Sequence, residues 1–162
     1  MVVLDFDMTI LRIHAFRLRI GHKAVGSRDM NADFADLIFF VELVHTLKRK
    51  GILVVVASFG LYKTIQAFLN RVLPNFFDRR TICTPSQVDG CDGCEVFGFK
   101  NPQLEFLCKL FGVQPQEVVL IDGKAMLLFR YYSNVINKLY DNCSGCNCAR
   151  DLCSSKNSVR AF

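Results

Sequence analysis

The sequence predicts an α/β domain of three layers around a mostly parallel sheet, and three observations carry that prediction. Four short apolar runs, VVL, ILVVVAS, TICT and EVVLID, read as strands buried on both faces. Segments of helical period lie between them, and strand–helix alternation implies parallel pairing through right-handed crossovers. Three of the runs lead directly into Asp or Ser, at the carboxyl edge where open α/β sheets bind their ligands.

Taken in order, the run at 2–4 gives way to Asp5, Asp7 and Thr9. Residues 11–31, LRIHAFRLRIGHKAVGSRDMN, read as a polar, irregular stretch broken by Gly21 and Gly26. Asn31 or Asp33 can then cap a helix over ADLIFFVELVHTLKRK, where Leu37, Phe40, Val41, Val44 and Leu47 recur at helical spacing. Lys48, Arg49 and Lys50 fill its last turn before Gly51, as the helix dipole favours. The β-branched run ILVVVAS is the second strand, and LYKTIQAFLNRVL is an amphipathic helix with Pro74 beyond its end. TICT is a short third strand. After the Cys/Gly-rich loop VDGCDGCEVFGFK comes the helix NPQLEFLCKLFG, with Asn101 as cap, Pro102 at its first position and Gly112 as stop. Pro115 leads into the fourth strand, EVVLID.

Composition narrows the class. A chain of 162 residues, 51% hydrophobic and with fifteen Phe, has the makings of one globular core. No apolar run approaches the ~20 residues that span a bilayer, and the N-terminus lacks the basic, apolar and cleavage regions of a signal peptide. A cytoplasmic protein without a membrane partner is the expectation. The net charge is +5, but from Arg130 onward five basic residues face only two acidic ones, so the remainder is nearly balanced. It shows no clustered basic patch with interleaved aromatics, which argues against a nucleic-acid partner.

The chemistry-bearing residues fall at the predicted strand ends. Asp5, Asp7 and Thr9 follow the first strand, Ser58 closes the second, Lys100 precedes the third long helix and Asp122 closes the fourth. A carboxylate nucleophile, a second carboxylate for acid–base work, phosphate-binding donors, a cation and a metal ligand are what phosphoryl transfer requires. Each residue taken alone has a plain structural explanation: aspartates in turns, Ser58 as a strand-end cap, Lys100 as a solvated side chain.

Together, DFDMT, VVVAS, Lys100 in GFKNP, and VVLID resemble, in order, the four motifs of the haloacid dehalogenase superfamily, most of whose members are magnesium-dependent phosphatases. The resemblance spans residues 1–122 and implies a Rossmann-like catalytic core over 1–128. It implies that Asp5 attacks phosphorus to form an aspartyl-phosphate, and that Asp7 protonates the leaving oxygen and then deprotonates water. Thr9 would orient Asp7 and border the phosphate; Ser58 would hydrogen-bond it; Lys100 would offset charge on the nucleophile and the transferring oxygens. Mg²⁺ would be held by Asp5, the backbone carbonyl of Asp7, and Asp122.

Neither gap between these motifs has room for a separate cap domain, so the resemblance implies a minimally capped member. Such open sites often take macromolecular phosphate esters or borrow a lid from a second copy, and the partner expected here is a phosphorylated substrate, small molecule or protein. Arg12, His14, Arg17 and Arg19 lie in the flap-like segment after Asp7, where they would read an anionic substrate or form a solvated basic loop.

Beyond Asp122 the pattern breaks. Gly123 and Met126 stand where the superfamily commonly has a second acidic residue, and no fifth strand is recognisable in LLFRYYSNVINKLY. The apolar run VVLI would then be an exposed sheet edge. Residues 129–162 read as a divergent, basic, Cys-rich tail without predicted order. Codons for Gly123-Lys124 can contain a splice donor, so translation through an intron is one origin for it. Cys91/Cys94 and Cys143/Cys146 form C-x-x-C pairs with Cys148 and Cys153 nearby, but the pairs are farther apart than the ~15–20 residues of compact zinc ribbons. The rival expectation, favoured by Gly123 and the missing fifth strand, is a catalytically weak binding module whose tail contacts protein or zinc. A phosphate-accepting receiver domain also gathers aspartates, a hydroxyl and a lysine, but its phosphorylated aspartate follows the third strand, not the first.

Overall fold

The computed structural model describes residues 1–88 and 100–123. Its centre is a four-stranded, all-parallel sheet of β1 (Val2–Leu4), β2 (Val54–Ala57), β3 (Ile82–Cys83) and β4 (Val119–Ile121), in spatial order β3-β2-β1-β4. The helices are α1 (Met30–Asp33), α2 (Leu37–Arg49), α3 (Tyr62–Val72), α4 (Pro85–Val88) and α5 (Asn101–Phe111). Strand order reverses between β1 and β4, because the chain builds outward through β2 and β3 before crossing back. The carboxyl ends that flank such a reversal form the crevice where α/β sheets bind ligands.

Register brings the strand ends level. Leu4 pairs with both Val56 and Ile121, and Ala57 pairs with Cys83. The next residue on each strand, Asp5, Ser58, Asp122 or Thr84, therefore emerges at one edge.

Alternate side chains along each strand feed two separate cores, as expected of a sheet covered on both faces. Leu4, Val54, Val56 and Ile82 pack with Phe40 and Val44 of α2 and with Ile65, Phe68 and Leu69 of α3. Val3, Val55, Ala57 and Cys83 pack with Leu104 and Leu107 of α5. Phe6 sits edge-on to Phe68 at 5.8 Å between ring centres, so the residue between the two aspartates anchors the active edge to α3.

Local signals set most element ends, with three corrections. Asp36, not Asn31 or Asp33, caps α2, accepting the Phe39 amide at 2.9 Å. Asn31 lies within α1, and Asp33 is held by both Nε and Nη2 of Arg28. Helix α5 begins at Asn101, one residue before the predicted first position at Pro102, and Lys100 takes the capping place. Gly51 and Gly112 end α2 and α5 with φ of +69° and +65°, the left-handed turn that glycine adopts without steric cost.

The stretch at 11–31 departs most from its polar reading. It contains a 3₁₀ turn (His22–Ser27) and α1, and it buries Leu11, Ala15, Ile20, Val25 and Met30. Arg71 of α3 pins it from outside, donating to the carbonyls of Val25 at 2.7 Å and Arg28 at 2.8 Å. Its apolar residues are spaced too unevenly for a helical or strand period to reveal them.

Among the described residues no helix is long and apolar enough to cross a membrane. Cys91, Cys94, the tail at 129–162 with its four cysteines, the proposed domain boundary and any fifth strand lie outside the described residues.

Candidate active site

Two carboxylates at i and i+2 of a continuing strand would line one face, so any other mutual arrangement requires the chain to leave β geometry after Asp5. It does so at once. Phe6–Ile10 forms a wide turn closed by the Leu11 amide on the Phe6 carbonyl at 2.9 Å, interrupted by extended dihedrals at Asp7 and a left-handed Met8 at φ 63°. A non-glycine residue in that region is held there by its surroundings and is common at functional sites. The Met8 amide is in turn tied to the Ile13 carbonyl at 3.2 Å.

Asp5 is buried, with both carboxylate oxygens engaged. Oδ2 accepts the Thr9 hydroxyl at 2.9 Å, and Oδ1 accepts the Lys100 ammonium. Lys100 also lies 3.3 Å from Asp122 Oδ2, so one buried cation joins the carboxylates at the ends of β1 and β4. Phe59 covers it, with its ring centre 5.7 Å from the ammonium.

Thr9 therefore contacts Asp5 rather than Asp7, the residue it was expected to orient. Its oxygen also accepts the Gly123 amide at 2.7 Å, which ties the turn after β1 to the turn after β4. The backbones approach so closely that a Cβ on Gly123 would stand 2.1 Å from the Met8 carbonyl oxygen and 3.0 Å from Thr9 Oγ1. The acidic residue expected at this position has no space in this arrangement.

Asp7 is held by the flap-like segment instead. Its Oδ1 accepts the Ala15 amide at 2.8 Å, and His14 Nδ1 lies 3.2 Å from Oδ2 without the angle of a hydrogen bond. Burial raises the Asp7 carboxyl above the ordinary carboxylate range. The Ala15 amide and the His14 charge oppose that rise, and the Asp5 charge adds to it. Arg12, expected among the substrate-reading cations, is spent on structure: it donates to the Phe34 and Ala35 carbonyls at 2.9 Å each. Arg17 and Arg19 remain, with no ion-pair partner among the described residues.

Ser58 is buried at the end of β2, where its hydroxyl oxygen accepts the Gly60 amide at 3.1 Å and keeps its own proton to donate. Beneath it lies Gln103, which the sequence reading did not single out. Gln103 Nε2 donates to the carbonyls of Ser58 at 2.8 Å and Cys83 at 3.3 Å, clamping β2 to β3 from α5. Its position three residues after Lys100 was the available signal, since that spacing puts both on one helix face. Gln103 Oε1 is buried without a partner among the described residues.

Among the described residues no three His, Cys, Asp or Glu side chains converge as a metal cluster. Two carboxylates, Asp5 and Asp122, do converge on the Lys100 ammonium, so this edge accommodates positive charge between oxygen donors. Two carboxylates are hard oxygen donors of the kind Mg²⁺ takes, an ion that keeps waters and takes its remaining ligands from phosphate. No family model matches this chain, and no curated protein or solved structure matches it either.

Proposed function

We propose that this chain is a magnesium-dependent phosphatase of the haloacid dehalogenase type, hydrolysing a phosphate monoester through an aspartyl-phosphate. The observation that carries the proposal is the convergence at one sheet edge. Asp5 ends the central strand and Asp7 lies in the turn that follows it, and Lys100, reaching in from another element, joins Asp5 to Asp122.

Each side chain then has a task suited to its surroundings. An Asp5 oxygen attacks phosphorus, forming an O–P bond as the bond to the leaving oxygen breaks. Asp7, its carboxyl raised by burial, is suited to carry the proton that the leaving oxygen takes up. In the second step water attacks phosphorus, Asp7 recovers a proton from it, and Asp5 departs as a carboxylate with release of phosphate. Lys100 offsets the charge on Asp5 and on the transferring oxygens, and the Ser58 hydroxyl is free to donate to the phosphoryl group. Asp5, the Asp7 carbonyl and Asp122 would hold Mg²⁺, which supplies charge neutralisation at the phosphoryl oxygens.

A catalytically weak binding module is the second reading, and Gly123 favours it, because the position has neither an acidic side chain nor space for one. Hydrolysis of 4-nitrophenyl phosphate by the purified full chain, with Mg²⁺ or with chelator, separates the two. Turnover that requires Mg²⁺ and disappears in Asp5→Asn supports the enzyme. Folded protein without turnover supports the module.

A further inference from the structure

Beside Asp7 opens a cavity of about 490 Å³, within the ~300–1,000 Å³ of small-molecule pockets. Asp7 lines it, so a leaving group whose bridging oxygen meets that carboxyl extends into this space. Its walls are mostly apolar. Ile65 and Phe6 form buried parts of the lining, and Phe16 and Leu61 are exposed parts of it. The polar groups of the second strand's loop and of α3 are already engaged: the Gly60 amide goes to Ser58, and the Thr64 hydroxyl goes to the Ile20 carbonyl at 3.2 Å.

Two groups in the lining are not engaged. Arg17 and Arg19 line the same cavity without an ion-pair partner among the described residues, and the one acidic group of the lining, Asp7, is held by Ala15 and lies beside His14. The turn that carries them is preorganised: Leu18 bonds to His14, Arg19 to Phe16 and Ile20 to Ala15, each at 3.0 Å, with Arg19 in a left-handed conformation at φ 54°. That same turn supplies the Ala15 amide and His14 that hold Asp7. Proton donor and pocket wall are thus one unit.

We propose that this cavity takes the leaving group of a small aromatic phosphate monoester bearing a second anionic group, the ring lying between Phe16 and Leu61 and the anion meeting Arg17 and Arg19. The inference rests on the phosphatase reading and names its substrate class. A rigid ring fills an apolar slot at little entropic cost, and a carboxylate or second phosphate gives two otherwise unpaired guanidinium groups a charge-assisted partner.

The test is binding of three hydrolysis-inert phosphonates to the full chain with Mg²⁺, measured by calorimetry. They are methylphosphonate, benzylphosphonate and 4-(phosphonomethyl)benzoate. Affinity should rise along that series, with the carboxylate contributing roughly fivefold, the worth of a partly exposed ion pair. In the Arg17→Gln/Arg19→Gln variant the ratio between the last two ligands should fall toward one. Equal affinities, no binding of any ligand, or a ratio that survives the double substitution would overturn the proposal. So would a peptide carrying phosphonomethyl-phenylalanine that binds more tightly than the free carboxylate ligand, which would reassign the pocket to protein substrates. Hydrolysis of 4-nitrophenyl phosphate is scored separately. Turnover without ligand preference removes this inference and leaves the phosphatase, whereas preference without turnover removes the phosphatase and with it the substrate assignment.

Discussion

The Lys100 ammonium is bonded to the Asp5 carboxylate across 95 residues of chain, and both side chains are buried. Removing one partner of a buried pair leaves the other charge uncompensated, at a cost of about 3–5 kcal/mol. Lys100→Met is expected to destabilise metal-free protein by that order in urea unfolding. Asp5→Asn combined with Lys100→Met should cost less than the sum of the single changes. Additive costs would show that the two groups do not act as a pair.

Thr9 is the second tie on Asp5. Thr9→Val keeps the shape but loses both the donor to Asp5 and the acceptor for the Gly123 amide. The expected result is a kcat about tenfold lower, comparable to the loss of a group that orients a ligand carboxylate. Thr9→Ser should restore most of it. An equal defect in both variants would show that the hydroxyl does not account for the effect.

Gly123 is fixed by sterics. Because an added Cβ meets backbone at 2.1 Å, Gly123→Ala should cost about 1–3 kcal/mol, the usual penalty for overpacking. Gly123→Asp should lower stability as well and should not raise phosphatase activity. An Asp variant that is both stable and faster would show that the turn after β4 can move away from Met8.

Asp7 links the site to pH. Its folded-state value is raised by burial, so the stability tied to this group is fully present below the ordinary carboxylate value and is lost as pH climbs through the raised one. Asp7→Asn carries no such titration. In metal-free buffer the Tm of the wild-type chain should therefore fall relative to Asp7→Asn as pH rises above about 4, the ordinary carboxylate value. Parallel Tm curves would contradict the assignment.

Strands and long helices were legible because they follow one period each. Apolar runs such as VVVA carry the sheet, and Gly51 and Gly112 mark helix ends by a conformation that few other residues adopt. The segment at 11–31 was not legible, since its buried residues answer to tertiary partners on α3 rather than to any local repeat. At the site, the residue types at the strand ends were visible, but their pairings were not. Thr9 bonds Asp5 across a turn in which Met8 is left-handed, and Arg12 is consumed by two carbonyls that lie more than twenty residues away. Gln103 was hidden by its ordinary place inside an amphipathic helix, although its amide holds two strand ends together.

The most direct test of the central claim, that Asp5 is the nucleophile, is chemical trapping during turnover. Borohydride reduces an aspartyl-phosphate to homoserine, and peptide mass mapping then reads the position. With substrate and Mg²⁺ present, homoserine is predicted at position 5, and none should form when either is omitted. Sustained hydrolysis with position 5 unmodified, or homoserine at another aspartate, would contradict the account.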